Sequence, residues 1–477
     1  MLWFFTTKMA ISSSSTSFMF TLVVFFTTIL SFFVISIQQP VLNSLEQDSV
    51  YRVLDSVNPN IPWRSLFPED LCSSPPHGVV CDYFTELSGD NVSSQIETVH
   101  ITELSFGYVS DYSPNPPCYP NSTLNPLIFT SFKFLRKLFF YKCFNETHVP
   151  VPDHIPASFG SRLEELVFIE NPSFLGSLGG IIGNYTNLRR LVLTGNGVYG
   201  SIPVKVGDLV ALEEITLSRN KLSGGFSFSL AKLKNLKILD LSQNFFEGNL
   251  PEEMGNLTQL LKLDLSYNIF SGRIPDGYNL LESLEFLDLS FNRFGNFGVP
   301  LFLAEMPRLK EVYLSGNLLG GEIPEIWENL GGIVRIGFSR AGLVGKIPAS
   351  MGLYLKNLCY LGLDNNKLQG SMPEELGVLD SASEINLENN NLSGRVPFSA
   401  KFSAQVGEKL KLKGNPDLCV DGKFRIGKNT NGSLRQLKLC KEPDNPNAVL
   451  FNAARSPSGL LASSHILMFI GFSVFFA

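Results

Sequence analysis

Apolar residues recur through most of the chain in one frame, L-x-L-x-x-N. It reads LVLTGN ending at Asn196, ITLSRN at Asn220, LDLSQN at Asn244, LDLSYN at Asn268, LDLSFN at Asn292 and VYLSGN at Asn317. It continues as IGFSRA at Ala341, LGLDNN at Asn366, INLENN at Asn390 and LKLKGN at Asn415, and it reaches back to LVFIEN at Asn171 and LFFYKC at Cys143. From Asn171 onward every step is 24 or 25 residues. A fixed period of that length marks a repeat architecture, each period being one supersecondary unit.

The chemistry of one period predicts its shape. Side chains alternate along a strand, so the two apolar residues of L-x-L point inward and the x residues face out. Asn then turns the chain, and its amide bonds open backbone groups of the neighbouring turn. Gly and Ile-Pro follow, as in IFSGRIP and LLGGEIP. Gly permits the bend and Pro bars another central strand, so the return runs over the outer face. No unit buries its apolar edge alone, whereas stacked units bury one another's. The expected fold is an α/β solenoid, a right-handed superhelix with a concave parallel sheet, an irregular or 3₁₀ convex face and disulfide-bonded caps. Ahead of the repeats, Val50, Val53, Leu54 and Val57 stand at i, i+3, i+4 and i+7. That spacing predicts an amphipathic helix covering the first strand edge.

The two ends read differently. Lys8 precedes an uncharged apolar stretch over 19–37, the pattern of a secretory signal, with an uncleaved signal anchor as its alternative. At the other end, residues 466–477 (ILMFIGFSVFFA) are apolar with no Lys or Arg after them. The small triplet Asn452-Ala453-Ala454 and a spacer from Arg455 to Ser464 stand upstream. Small triplet, spacer and apolar tail form a glycolipid (GPI) anchor signal, which places the lipidation at Asn452. A short membrane span is the alternative. Both ends point to the extracellular face of the plasma membrane, the anchor holding the outer leaflet.

Composition narrows the chemistry. A net charge of −6 argues against a nucleic-acid partner. Sequons for N-glycosylation occur at Asn91, Asn121, Asn145, Asn184, Asn256, Asn391 and Asn431, in keeping with secretion. The cysteines cluster at the edges of the repeats, as Cys72 and Cys81, Cys118 and Cys143, Cys419 and Cys440, with Cys359 apart. Sequence leaves their connectivity open. Pairing between neighbours is the expectation in an oxidising compartment, with Cys359 the odd thiol.

Enzyme motifs dissolve on inspection. The GxGxxG at 195–200 overlays a repeat turn and precedes Pro203 rather than a helix, so it is no phosphate loop. Acid pairs at Glu164-Glu165, Glu213-Glu214, Glu252-Glu253 and Glu374-Glu375 read as solvated surface. The five His share no metal-ligand spacing, His148 and His154 in a Pro-rich loop being the one weak candidate. The expectation is a non-enzyme with no cofactor and no metal.

The spacing L-x-x-L-x-L-x-x-N-x-L-x-G-x-I-P over about residues 131–415 resembles that of plant extracellular leucine-rich repeat proteins. Trp63, Cys72 and GVVC at Gly78–Cys81 resemble that family's N-terminal cap, and GNPDLC at Gly414–Cys419 its C-terminal cap. The segment EQDSVYRVLDSVNPNIPWRSLFPEDLC resembles the Piriformospora indica-insensitive subgroup of receptor-like proteins. The resulting layout is a signal over 1–40, a cap over 41–130, repeats over 131–415, a second cap over 416–445, and spacer with anchor signal over 446–477. The resemblance implies a surface recognition protein without a kinase, signalling through a membrane receptor kinase, with the subgroup implying accommodation of a root endophyte. A secreted inhibitor of microbial wall-degrading enzymes is the alternative. No step beyond Asn171 exceeds 25 residues, so no inserted island forms a small-hormone pocket. The expected ligand is an extracellular peptide, glycan or protein lying along the groove.

Outward x positions carry Tyr267, Phe286, Phe291, Tyr313, Arg335, Arg340 and Tyr360 in neighbouring units. Aromatics and Arg dominate binding hot spots, which makes this set the expected contact surface. Ala341 replaces the turn Asn inside the same stretch, among Gly331, Gly332, Gly337 and Gly342. A soft segment with Arg335 and Arg340 exposed would adjust to an acidic partner; simple drift is the competing reading.

Overall fold

The computed structural model describes residues 40–87, 95–107, 115–182, 185–422 and 432–441. The expected signal, the anchor with Asn452, and the sequons at Asn91, Asn184 and Asn431 lie outside the described residues.

The L-x-L segments line up as one 14-stranded sheet. Its order follows the chain, from Val79–Leu87 and Gln95–Phe106 through Lys137–Tyr141 and Glu165–Ile169 to Leu410–Lys411. Register is fixed by the repeat: Lys262, Leu263 and Asp264 pair with Phe286, Leu287 and Asp288. Leu263, Leu265, Leu287 and Leu289 are buried, while the residues between them line the concave side. A one-residue slip would expose every leucine, so the hydrophobic frame locks the register.

The turn asparagines form a ladder of their own. Asn268 Nδ2 donates to the Leu241 carbonyl of the preceding unit at 3.0 Å and to its own Leu265 carbonyl at 3.2 Å. Its Oδ1 accepts from Phe246 N at 3.0 Å. Asn292, Asn317, Asn366, Asn390 and Asn415 repeat the pattern. Each buried amide thereby serves backbone groups that the strand ends leave open, the condition for burying them. Ala341 interrupts it on one side only. Asn366 Oδ1 still accepts from Ala341 N and Leu343 N, both at 3.0 Å. Towards the preceding unit the rung is replaced by a backbone bond, Gly320 N donating to the Ala341 carbonyl at 3.0 Å.

Two features depart from the repeat as read. Residues just after each Asn form a second parallel sheet beside the first, seven strands from Val149–Pro150 to Arg293–Phe294 and four more from Gln369–Gly370 to Lys438–Leu439. Pro ends these strands rather than preventing them, because it comes after the paired residues, as Pro251 does after Phe245–Asn249. Between the two groups, only the bridges Gly295 to Leu318 and Glu322 to Val344 remain, alongside Ala341. The convex return is mostly 3₁₀, for example Val204–Asp208, Glu252–Asn256 and Asp276–Leu280, each opened by a Pro at the N-cap. Proline's fixed φ presets that entry.

The N-terminal edge also differs. The helix Ser44–Val57 buries Val50, Val53, Leu54 and Val57, but the first strand edge is covered by an antiparallel hairpin partner, Val79–Leu87 on Gln95–Phe106. The sheet therefore begins inside the 41–130 segment. The helix joins this hairpin from beneath: Glu46 accepts from Ile101 N at 3.0 Å and pairs with His100 Nδ1 at 2.9 Å. Disulfides join Cys72 to Cys81, Cys118 to Cys143 and Cys419 to Cys440, and Cys359 is a free thiol. Cys143, standing where other units have Asn, thus ties its turn to the cap covalently.

Candidate functional site

The concave face divides by how its charges are spent. Towards the N-terminal end, consecutive strands carry alternating signs in register. Arg190 bonds Glu165 and Glu214, each at 2.8 Å, and Glu213 takes Arg189 and Lys237, each at 2.7 Å. Lys237 and Arg189 together hold the Glu213 carboxyl below its usual range. Of the acid pairs, Glu165, Glu213 and Glu214 belong to this lattice of exposed ion pairs.

The next units break the alternation. Three successive strands place Asp240, Asp264 and Asp288 at one position, each pairing with the next across the sheet. One oxygen of each accepts from the Ser two residues on: Ser242 Oγ at 2.7 Å, Ser266 Oγ at 2.7 Å, and Ser290 through its hydroxyl and its N–H, the latter at 2.8 Å. One ammonium serves the row, Lys262, at 3.0 Å from Asp240 and 3.7 Å from Asp264. The second oxygen of Asp288 has no partner among the described residues. Burial pushes the Asp288 carboxyl up to about 6, Ser290 opposes the rise, and the neighbouring Asp264 adds to it. Asp264 is raised as well, again mainly by burial and then by Asp240. A buried carboxylate without a counter-ion resists ionising for this reason.

Aromatic faces flank the row. Phe286 and Tyr313 stand on adjacent strands with ring centroids 5.8 Å apart. Tyr267 and Phe291 stack at 4.3 Å and remain 50 % and 37 % exposed. Lys262 already rests 5.3 Å from the Phe286 ring centroid. Further along, Arg335 Nε donates to the Tyr313 hydroxyl at 2.7 Å, which donates in turn to Glu311 at 2.6 Å. The Arg335 guanidinium lies 4.7 Å over the Tyr360 ring.

The residues expected to form one contact surface therefore occupy two settings. Phe286, Tyr313, Arg335 and Tyr360 lie on the strands themselves. Tyr267, Phe291 and Arg340 sit in the turn before the Asn position, with φ of 53°, 52° and 54°. The expectation of a cationic stretch for an acidic partner changes here. Arg335 is engaged by Tyr313, Glu311 and Tyr360, and Arg340 projects from a turn, so the two arginines do not act as one patch. The charge nearby with the fewest counter-ions is the aspartate row, which the sequence reading missed. Its signal was LDLS in three consecutive units.

The described sequons sit elsewhere. Asn121 and Asn145 lie beside the Cys118–Cys143 bridge, Asn256 closes a convex 3₁₀ segment, and Asn391 opens a strand of the second sheet. All four are exposed and none stands on a concave strand. His148 and His154 line a hollow of about 350 Å³ with Pro126, Phe129 and Pro150, and no third metal-type ligand joins them among the described residues.

This solenoid, with its repeat frame and asparagine ladder, has the architecture of a leucine-rich repeat ectodomain. The Leucine Rich Repeat family model matches residues 235–257 and 308–330. The relatives it resembles are plant receptor-like proteins. It is 34 % identical over 147 residues to Protein TOO MANY MOUTHS of Arabidopsis thaliana, covering 30 % of this chain and 26 % of that one. It is 34 % identical over 157 residues to Piriformospora indica-insensitive protein 2 of the same plant, covering 33 % of this chain and 34 % of that one. The chain thus spans about a third or less of those relatives' lengths. Among solved structures it is similar to the Arabidopsis receptor kinase HAESA in complex with the peptide hormone IDA and the co-receptor SERK1. That likeness has a TM-score of 0.54 and 30 % identity, covering 63 % of this chain and 48 % of the other.

Proposed function

We propose that this chain is a cell-surface recognition protein that binds an extracellular ligand along its concave face and passes the signal through a partner receptor kinase. One observation carries the reading: aromatics gather along the concave face around 264–313, exposed in the turns at Tyr267 and Phe291 and half-buried on the strands at Phe286 and Tyr313, while the described sequons lie off the concave strands. Sugars off the groove leave it open to a macromolecule, and the aromatics supply the residue types that dominate binding energy. The likeness to HAESA supports a peptide as the ligand and a co-receptor as the partner. The likeness to Piriformospora indica-insensitive protein 2 supports a setting in plant–microbe contact, with a root endophyte. In this reading the chain has no kinase or other enzymatic activity, and a lipid at Asn452 tethers it to the outer leaflet.

The test uses cells displaying the full chain. Phosphatidylinositol-specific phospholipase C should release it into the medium. A product already free in the medium, with nothing left to release, overturns the tethered reading in favour of the secreted inhibitor of wall-degrading enzymes.

A further inference from the structure

The concave row at Asp240, Asp264 and Asp288 carries an inference that rests on the recognition reading and deepens it. The repeat sets these carboxylates on adjacent parallel strands, about 4.8 Å apart by the ordinary strand spacing. In the preceding units the neighbouring groove position is neutralised by its own neighbours, as Arg190 shows between Glu165 and Glu214. Here three carboxylates share the single ammonium of Lys262, and that ammonium leans towards Asp240. The surplus is negative and centred on Asp288, which is half-buried and whose second oxygen has no partner among the described residues.

The surroundings favour an organic cation over a bare ion. Each aspartate already commits one oxygen to a serine, and no group of three His, Cys, Asp or Glu converges as a metal cage among the described residues. Aromatic faces attract cations, and Phe286 already has one at 5.3 Å in Lys262. The Tyr267–Phe291 stack offers an adjoining apolar platform large enough for the aliphatic stem of a long side chain.

We propose that this part of the groove docks an extended peptide segment presenting a basic side chain, guanidinium or ammonium, to Asp264 and Asp288. The segment's apolar neighbours lie over Phe286, Tyr313 and the Tyr267–Phe291 stack. Charge complementarity selects this occupant. An acidic or neutral peptide would leave Asp288 buried beneath it without a counter-ion, whereas a basic one supplies what the row lacks.

Panning a phage library of random decapeptides on the full, glycosylated chain tests the proposal. The parent should enrich peptides rich in Arg or Lys, and D264N/D288N should lose that enrichment. A selected peptide should bind D264N/D288N at least tenfold more weakly, while E213Q in the self-paired region leaves its binding unchanged. Removing mutual repulsion should keep the double variant folded; D288N alone provides the same readout should the double variant fail to be secreted. Selected peptides without basic residues, or equal binding to the parent and D264N/D288N, overturn this inference and leave the recognition reading standing. Enrichment of no peptide at all overturns both.

Discussion

The strands over 165–238 and those over 262–313 are built on the same frame, yet their concave surfaces behave in opposite ways. Both rest on buried leucines in identical register, Leu191 under one and Leu287 under the other. In the first, Glu165, Arg190 and Glu214 alternate in sign from unit to unit and satisfy one another. In the second, aspartate follows aspartate and half-buried aromatics line the strands. The frame fixes where a side chain points and leaves its chemistry free. In the proposed reading a self-paired stretch is a spacer, and an unpaired one is where a ligand completes the pairing.

The largest effect should be common to both regions. Leu191→Ala and Leu287→Ala should each cost about 3 kcal/mol in urea unfolding, because each opens a cavity in a shared core. Clearly unequal costs would mean that the two regions differ beneath the surface as well as on it. Next comes Ala341→Asn, which lies just beyond the open region. Restoring the amide rung should raise stability by about 1 kcal/mol. If peptide affinity stays unchanged, Ala341 is drift; a fall in affinity with the added stability would mean that the groove needs its looseness there.

A pH-dependent effect separates the regions more finely. The Asp288 carboxyl is raised to about 6 from an ordinary 3.8, so the folded chain holds a proton that the unfolded chain has released. Stability from this group is full below about pH 4 and declines as pH climbs to about 6. The full shift would be about 3 kcal/mol, which solvent in the open groove trims to about 1 kcal/mol. Asp288→Asn should therefore stabilise the chain by about 1 kcal/mol at pH 7.5 and leave it unchanged at pH 3.5, as read by thermal melts. Equal effects at both pH values would remove the strained carboxylate from the account. The smallest effect belongs to the paired region. Arg190→Ala should change stability by no more than about 0.5 kcal/mol, and less in high salt, because its ion pairs are exposed.

Much of this was legible in the chain. The frame L-x-L-x-x-N located the concave strands from Lys137 onward, and the i, i+3, i+4, i+7 apolar set located the helix Ser44–Val57. The second sheet escaped because its pairing residues, such as Lys221–Gly225, carry mixed and small side chains with one buried leucine. Nothing in that composition distinguishes a strand from a turn. The antiparallel pair Val79–Leu87 and Gln95–Phe106 escaped because it precedes the periodic region. The aspartate row was present all along. Asp240, Asp264 and Asp288 are separated by one repeat each, and in a solenoid one repeat of separation means adjacency. Its members stand in separate units, so the charge they accumulate shows only between units and not within any one of them.

The central claim is that recognition belongs to the unpaired stretch and not to the groove at large. Decapeptides selected on the full chain measure it directly, through their affinity for F286A/Y313A and for R190A/E214A. Truncating two hot-spot aromatics should cost about 2 kcal/mol or more, more than a tenfold loss. Removing the self-paired charges should leave affinity within about twofold of the parent. Unchanged affinity for F286A/Y313A, or an equal loss in both variants, would contradict the account.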